Sequence, residues 1–286
     1  MGSAARRVGH DVADMAEYPP PNHLLRDLRA TTCWVDEDEL QLYAPLQPAA
    51  TDALGVQVGV IAGLVDIAGA MTAFAHVAPD WCATSDLSFQ RSGGVTEGPV
   101  VISTKLLRAG GRVVTVRSEV FDGRGEERPA RHAGTAVMTF TRLTRDAARF
   151  EVDEEVDRRS EIGQRRAMTD SSSGFDESPL TKMALRPIEP GVVELDKSPY
   201  VLNSFGTVNG GATAITLAAA AQSAVEGAVA ADISVRYVGQ AGVGPVRTVA
   251  RELADYDSYA SVDVELLDTS ADDRLIALGT VGLVRE

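Results

Sequence analysis

Shifted by 146 positions, one part of this sequence lies over another. Asp86-Leu87-Ser88-Phe89 falls on Asp232-Ile233-Ser234-Val235, and Gly98-Pro99-Val100 falls on Gly244-Pro245-Val246. Val116, Glu119 and Asp122 fall on Val262, Glu265 and Asp268. From 86 to 122 no gap is needed, and 10 of 37 positions are identical, where ordinary residue frequencies give about two or three by chance. A duplication constrains the fold more than any single motif, because both copies must reach one architecture.

Each copy shows the same order of elements. Residues 31–46 and 182–196 mix apolar and polar positions, end in prolines and read as strands. A Gly-containing loop follows, then an Ala/Gly/Val-rich helix at 57–76 and at 209–227. Val262, Val264 and Leu266 alternate with Asp263 and Glu265, as in a half-buried strand, and Val114, Val116, Ser118 and Val120 keep the same period. Apolar strands at 134–143 and 275–284 close the copies. Both helices are apolar nearly all round and must be covered on most sides. A curved antiparallel sheet wrapped around one helix does that, so the expected class is α+β. The expected organisation is a disordered tail over 1–22, a first domain over 23–143, a charged linker over 144–181 and a second domain over 182–286. The linker offers few residues that could pack a core.

Charge and composition exclude several functions. The net charge of −14 argues against nucleic acid and anionic membranes as partners, since both reward a basic face. Two cysteines and four scattered histidines, at 10, 23, 76 and 132, offer neither a disulfide framework nor metal-ligand spacing. No apolar leader precedes the proline run near the N-terminus, and a cytoplasmic, metal-free protein is expected. Residues 58–78 are apolar enough to raise a membrane span, but Asp66 sits in the middle, at a cost of roughly 3 kcal/mol at a bilayer centre. A buried helix is the better reading.

The second copy reads Asn203-Ser204-Phe205-Gly206-Thr207-Val208-Asn209-Gly210-Gly211. The first reads Gly63-Leu64-Val65-Asp66, with Asp66 nine residues after Gln57 and Thr84 eighteen after Asp66. Together these resemble the hotdog fold of PaaI-type acyl-CoA thioesterases, here in tandem. That family's loop has an Asn followed six residues on by His-Gly-Gly, an acid nine after the His, and a small hydroxyl residue on the next strand. Asn209 stands where His is usual, and Ala218 and Ala230 replace the acid and the hydroxyl of the second copy. The first copy has Thr51, Gln57 and Val58 where the loop Asn, the His and the first Gly belong.

In that family one unit supplies the Gly-Gly loop and the other the acid. The resemblance therefore implies one composite site per chain. Asp66, Thr84, Asn209 and Gly210 would be catalytic, with Asn203 and Gly211 binding substrate. The reciprocal site would be lost, and random decay is not expected to leave every retained part on one side. The implied reaction is hydrolysis of an acyl-CoA, or acyl-carrier, thioester, with coenzyme A only as part of the substrate and no other cofactor. Gly210 at a helix N-terminus suits an oxyanion, and Asp66 suits a general base or nucleophile. The competing readings are a bonded structural Asp66 with Asn209 as an ordinary helix cap, and a non-catalytic acyl-CoA-binding protein. No His lies where a hotdog dehydratase would need one. A homodimer of tandem chains is expected from family behaviour.

Overall fold

The computed structural model describes residues 18–144, 158–169 and 172–285. The first half contains α1 (Leu24–Asp27), β1 (Thr31–Trp34), β2 (Glu39–Ala44), the short β3 (Thr51–Asp52) and β4 (Gly55–Val56), and the long α2 (Val58–Val77). It continues with β5 (Trp81–Arg91), β6 (Val100–Ala109), β7 (Val113–Asp122) and β8 (Arg131–Leu143). Between the halves lie α3 (Arg158–Glu161) and β9 (Arg166–Ala167). The second half repeats the plan with α4 (Pro179–Lys182), β10 (Arg186–Glu189), β11 (Val192–Leu195), α5 (Gly210–Ala224), β12 (Val229–Tyr237), β13 (Val246–Asp255), β14 (Tyr259–Asp268) and β15 (Arg274–Val284).

Thirteen strands form one antiparallel sheet in the order β10-β11-β13-β14-β15-β12-β5-β8-β7-β6-β2-β1-β9. Period-two patterning sets its inner face: Val114, Val116, Ser118 and Val120 of β7 are buried, as are Ala260, Val262, Val264 and Leu266 of β14. The halves join where β12 pairs with β5, Ser234 opposite Ser88, and these hydroxyls lie 3.0 Å apart. The two serines are equivalent under the 146-residue shift, so the pseudo-two-fold axis passes between them.

Each half of the sheet curls around its helix, and α2 and α5 meet across the axis. Their closest approach needs glycine, since a Cβ on Gly211 would stand 2.9 Å from Gly63 Cα, and one on Gly59 would stand 2.7 Å from Ile215 Cα. By length and composition α2 could cross a membrane, but here it is the core helix of the first half.

Four details differ from expectation. The stretches 31–46 and 182–196 each hold a hairpin of two short strands, because Asp36-Glu37-Asp38 and Pro190-Gly191 turn the chain. Helix α5 stops at Ala224, three residues early, where extended Val225 and the left-handed Gly227 (φ +71°) turn it into β12. Of residues 18–22, expected in a disordered tail, Tyr18 to Pro20 are half-buried, and the carbonyls of Pro19 and Pro20 accept from buried Arg26 at 2.7–3.1 Å. Residues 1–17 of that tail lie outside the described residues. The described parts of the 144–181 linker also pack. β9 adds to the edge of β1, Phe175 is buried, and Ser172 donates to buried Asp27 (2.6 Å).

Candidate active site

The loop before α5 is built by its asparagines. Asn203 Oδ1 accepts the N–H groups of Phe205 (3.0 Å) and Thr207 (3.1 Å), and its own N–H donates to Thr207 O (2.8 Å). Asn209 is extended (φ −62°, ψ 145°) and caps the helix, its Oδ1 accepting Gly211 N–H at 2.8 Å. Both side-chain oxygens thus serve the backbone. Gly210 N–H, one of the first amides of the helix, is taken by no acceptor among the described residues. The loop is tied from outside by His23, whose Nδ1 accepts Leu25 N–H (3.1 Å), so that Nε2–H donates to Leu202 O (2.7 Å). Burial holds the His23 pKa down to about 4, which keeps the ring neutral and in that tautomer.

Asp66 approaches the same point from α2. A Cβ on Gly210 would stand 2.5 Å from Asp66 Oδ2, so only glycine leaves room there. Thr84, at the bulge where β5 passes β8, donates to Asp66 Oδ1 at 2.6 Å. One carboxylate oxygen is held, and Oδ2 makes no hydrogen bond with the described residues. Asp66 is only 7% exposed, and burial pushes its pKa up to about 6 against the opposing pull of the Thr84 bond. A carboxyl so tuned can exchange a proton near neutral pH.

These groups open into a cavity of about 380 Å³. Asp66, Thr84, Asn203, Asn209, Gly210 and Tyr237 give its polar end; Leu25, Ile67, Met71, Phe74, Trp81, Phe205 and Val208 give apolar walls. Trp81 lies between Phe74 (ring centroids 5.1 Å apart) and Phe205 (5.7 Å, edge on). A deep apolar space with few convergent polar groups is the usual form of a small-molecule site.

The structure brings together five of the six residues singled out in the sequence. Gly211 is apart: its N–H serves Asn209 and its Cα packs on Gly63, so it supports the helix contact and does not line the cavity. Tyr237 escaped the sequence reading. Its hydroxyl donates to Gly210 C=O (3.0 Å), and burial, with Asp66 nearby, raises its pKa well above the usual value. The one available signal was the duplication, which sets Tyr237 against Arg91. Several other polar side chains have structural partners. His76, in the last turn of α2, bonds Thr72 O and Asp38 Oδ1. Asp232 accepts Arg91 N–H, Asp86 pairs with Arg236, and Lys105 pairs with Glu39. The Cys82 thiol is pushed up to about 12 by burial and then by Asp66, so it is not a nucleophile at neutral pH.

The pseudo-symmetric position looks different. Val58 stands where Gly210 does, Ala218 where Asp66 does and Ala230 where Thr84 does. The space is only about 110 Å³ and is bounded by Gln57, Gly59, Ile215, Ala218 and Gln222, with Leu180 of α4 against it. Gln57 makes no side-chain cap to α2. Arg91 donates to the carbonyls of Leu54, Val56 and Ala231 at 3.0–3.3 Å, filling its potential with backbone.

Comparison with known proteins agrees with the architecture. Residues 58–128 match the family model described as thioesterase superfamily, and residues 199–283 match that of the acyl-CoA thioesterase N-terminal domain. No curated protein matches significantly. Among solved structures, the chain resembles a protein described as a thioesterase II from Thermobifida fusca, at 17% identity and TM-score 0.57, over 93% of this chain and 98% of that one. It resembles the tesB protein of Mycobacterium avium subs paratuberculosis at 16% and 0.53, over 88% and 94%. A hot dog protein of unknown function from Alicyclobacillus acidocaldarius follows at 14% and 0.55, over 92% and 98%. At such identities these structures speak for the fold, a tandem hotdog.

Proposed function

The chain belongs to the thioesterase superfamily, one hotdog domain in each half, and we propose that it hydrolyses an acyl-CoA thioester at a single composite site between them. The observation that carries this reading is the free Oδ2 of Asp66 from α2, aimed at the glycine that opens α5, inside the larger cavity. The PaaI-type assignment rests on the loop and helix motif and is part of the same proposal.

The thioester carbonyl would lie against the α5 N-terminus, its oxygen taking Gly210 N–H. There the amide and the helix dipole stabilise the negative charge that develops on attack. Asp66 Oδ2 removes a proton from the attacking water while Thr84 holds Oδ1 and fixes the carboxylate plane. Collapse of the tetrahedral intermediate breaks the C–S bond, and the proton on Asp66 goes to the departing thiolate. The acyl group would run between Met71, Phe74, Trp81 and Phe205.

The test is thiol release from a panel of acyl-CoAs and acyl-carrier proteins by wild type and Asp66→Asn. Wild-type turnover and a loss of about a hundredfold or more in the variant are expected. Preference between the two panels identifies the thiol carrier. Tight acyl-CoA binding with no wild-type turnover would overturn hydrolysis and favour an acyl-CoA-binding protein.

A further inference from the structure

Tyr237 has a hydrogen bond that its acceptor does not require. Gly210 opens α5, so its carbonyl already faces the N–H of Ala214 in the helical pattern. The Tyr237 hydroxyl adds a second donor at 3.0 Å. That commits the phenolic proton and leaves the oxygen as an acceptor. A Cβ on Gly210 would stand 2.5 Å from Asp66 Oδ2 and 3.5 Å from Tyr237 Oη, so both oxygens flank this glycine. Both residues, from different halves, also line the one cavity beside it, and both oxygens can only accept when Asp66 is ionised.

We propose that Tyr237 is a positioning residue that holds the attacking water between its hydroxyl oxygen and Asp66 Oδ2. A water there donates one hydrogen to Asp66 and the other to Tyr237. Its lone pair is then left to point into the cavity, toward a carbonyl seated at the α5 N-terminus. On attack the proton shared with Asp66 moves to the carboxylate, and the proton shared with Tyr237 stays on the new hydroxyl. Tyr237 exchanges no proton, which agrees with a phenol that burial and the neighbouring carboxylate keep protonated. Holding a nucleophile in one orientation removes rotational freedom that attack would otherwise have to restrict.

The reciprocal position gives independent support. The 146-residue shift sets Tyr237 against Arg91. Arg91 donates to three backbone carbonyls and offers no acceptor to a water. Where the acid is Ala218, the water acceptor is also gone.

This inference rests on the hydrolytic reading, and its test separates the two. Wild type and Tyr237→Phe are compared for kcat, KM and the split of product between carboxylic acid and hydroxamate when hydroxylamine is present. Phenylalanine keeps the ring, and unchanged circular dichroism and melting establish an intact fold. The variant is expected to lose about tenfold or more in kcat with KM within about twofold, since water but not acyl binding is affected. The hydroxamate share should rise severalfold, because hydroxylamine is a stronger nucleophile that depends less on being held. A Tyr237→Phe enzyme within about twofold of wild type in kcat would overturn the role of Tyr237 and leave the hydrolytic reading standing. So would a lower kcat with an unchanged hydroxamate share, which marks a structural effect. A wild type that releases no thiol overturns both.

Discussion

At one end of the junction between β5 and β12 stand Asp66, Thr84 and Tyr237, facing Gly210. The pseudo-symmetric positions hold Ala218, Ala230, Arg91 and Val58. The scaffold is the same at both: a strand pair, a capped or uncapped helix N-terminus, and a helix crossing behind it. The polar and ionisable groups stand at one end, and small or backbone-bonded residues at the other. The first end keeps an ionisable group in a buried place and a cavity of about 380 Å³; the second has alanines, backbone-satisfied arginine and about 110 Å³. On the proposed reading, one site per chain leaves the other position free to pack.

The strongest way to break this comparison is to give the first end the second end's glycine replacement. In Gly210→Val a Cβ enters 2.5 Å from Asp66 Oδ2 and displaces the carboxylate from the carbonyl. Thiol release should fall by more than about a hundredfold, as when an oxyanion donor is removed. Val58→Gly at the other end should leave the rate unchanged. Equal losses from both variants would mean that the two ends share the reaction.

Thr84→Ala copies Ala230 and is a smaller change. It removes the hydrogen bond that favours the charged form of Asp66. A bond to a charged group contributes about 1.5–3 kcal/mol, so a loss of roughly ten- to a hundredfold in kcat is expected. With Asp66 as the proposed base, wild-type activity should rise with pH through about 6 and then level. The variant's acidic limb should move to higher pH. A pH–rate profile that stays in place would show that Asp66 is not the titrating base.

The parts of this arrangement that lie at fixed spacing were legible in the sequence. Asp66, Thr84 and the Asn203–Gly211 loop are legible through the resemblance to the thioesterase motif, whose members keep fixed distances along the chain because they sit on one loop, one helix and the following strand. Tyr237 depends on the register with which β12 meets β5, which no local pattern reports. The aromatic wall is hidden for the same reason: Phe74, Trp81 and Phe205 come from α2, β5 and a loop of the other half. The charged stretch between the halves hid its packing, because Phe175 and Leu180 are isolated apolar residues in a polar run and show no periodicity. The hairpins at 31–46 and 182–196 look like single strands in the sequence because a turn of two or three residues interrupts the alternation only briefly.

A stability measurement sharpens the contrast further. Folding raises the proton affinity of Asp66, so its ionisation has no differential cost below about pH 4, where folded and unfolded chains both hold the proton. As pH climbs through about 6 the folded state loses stability relative to the unfolded one, and the loss levels above that. A shift from 3.8 to about 6 corresponds to about 2–3 kcal/mol. Asp66→Asn should therefore be more stable than wild type by about that amount at pH 8, with the difference shrinking toward pH 4. Urea titrations at the two pH values read this directly. A variant less stable than wild type at pH 8 would make Asp66 a structural carboxylate.

The smallest expected effect belongs to the other end. Leu180 is partly buried, sits on the short helix α4 and closes the small space beside Ala218. Truncating it removes apolar contact without uncovering any acid or hydroxyl, since Ala218 and Ala230 have neither. Leu180→Ala should cost about 1–2 kcal/mol, below the range for a fully buried leucine because part of the side chain already meets solvent. Thiol release should not change, and no second acyl group should bind. If the variant instead bound two acyl groups per chain, Leu180 would be a plug on a working pocket, and the second end would be closed by packing rather than emptied of chemistry. The alanines at 218 and 230 argue for the second alternative, because opening a space does not supply a base.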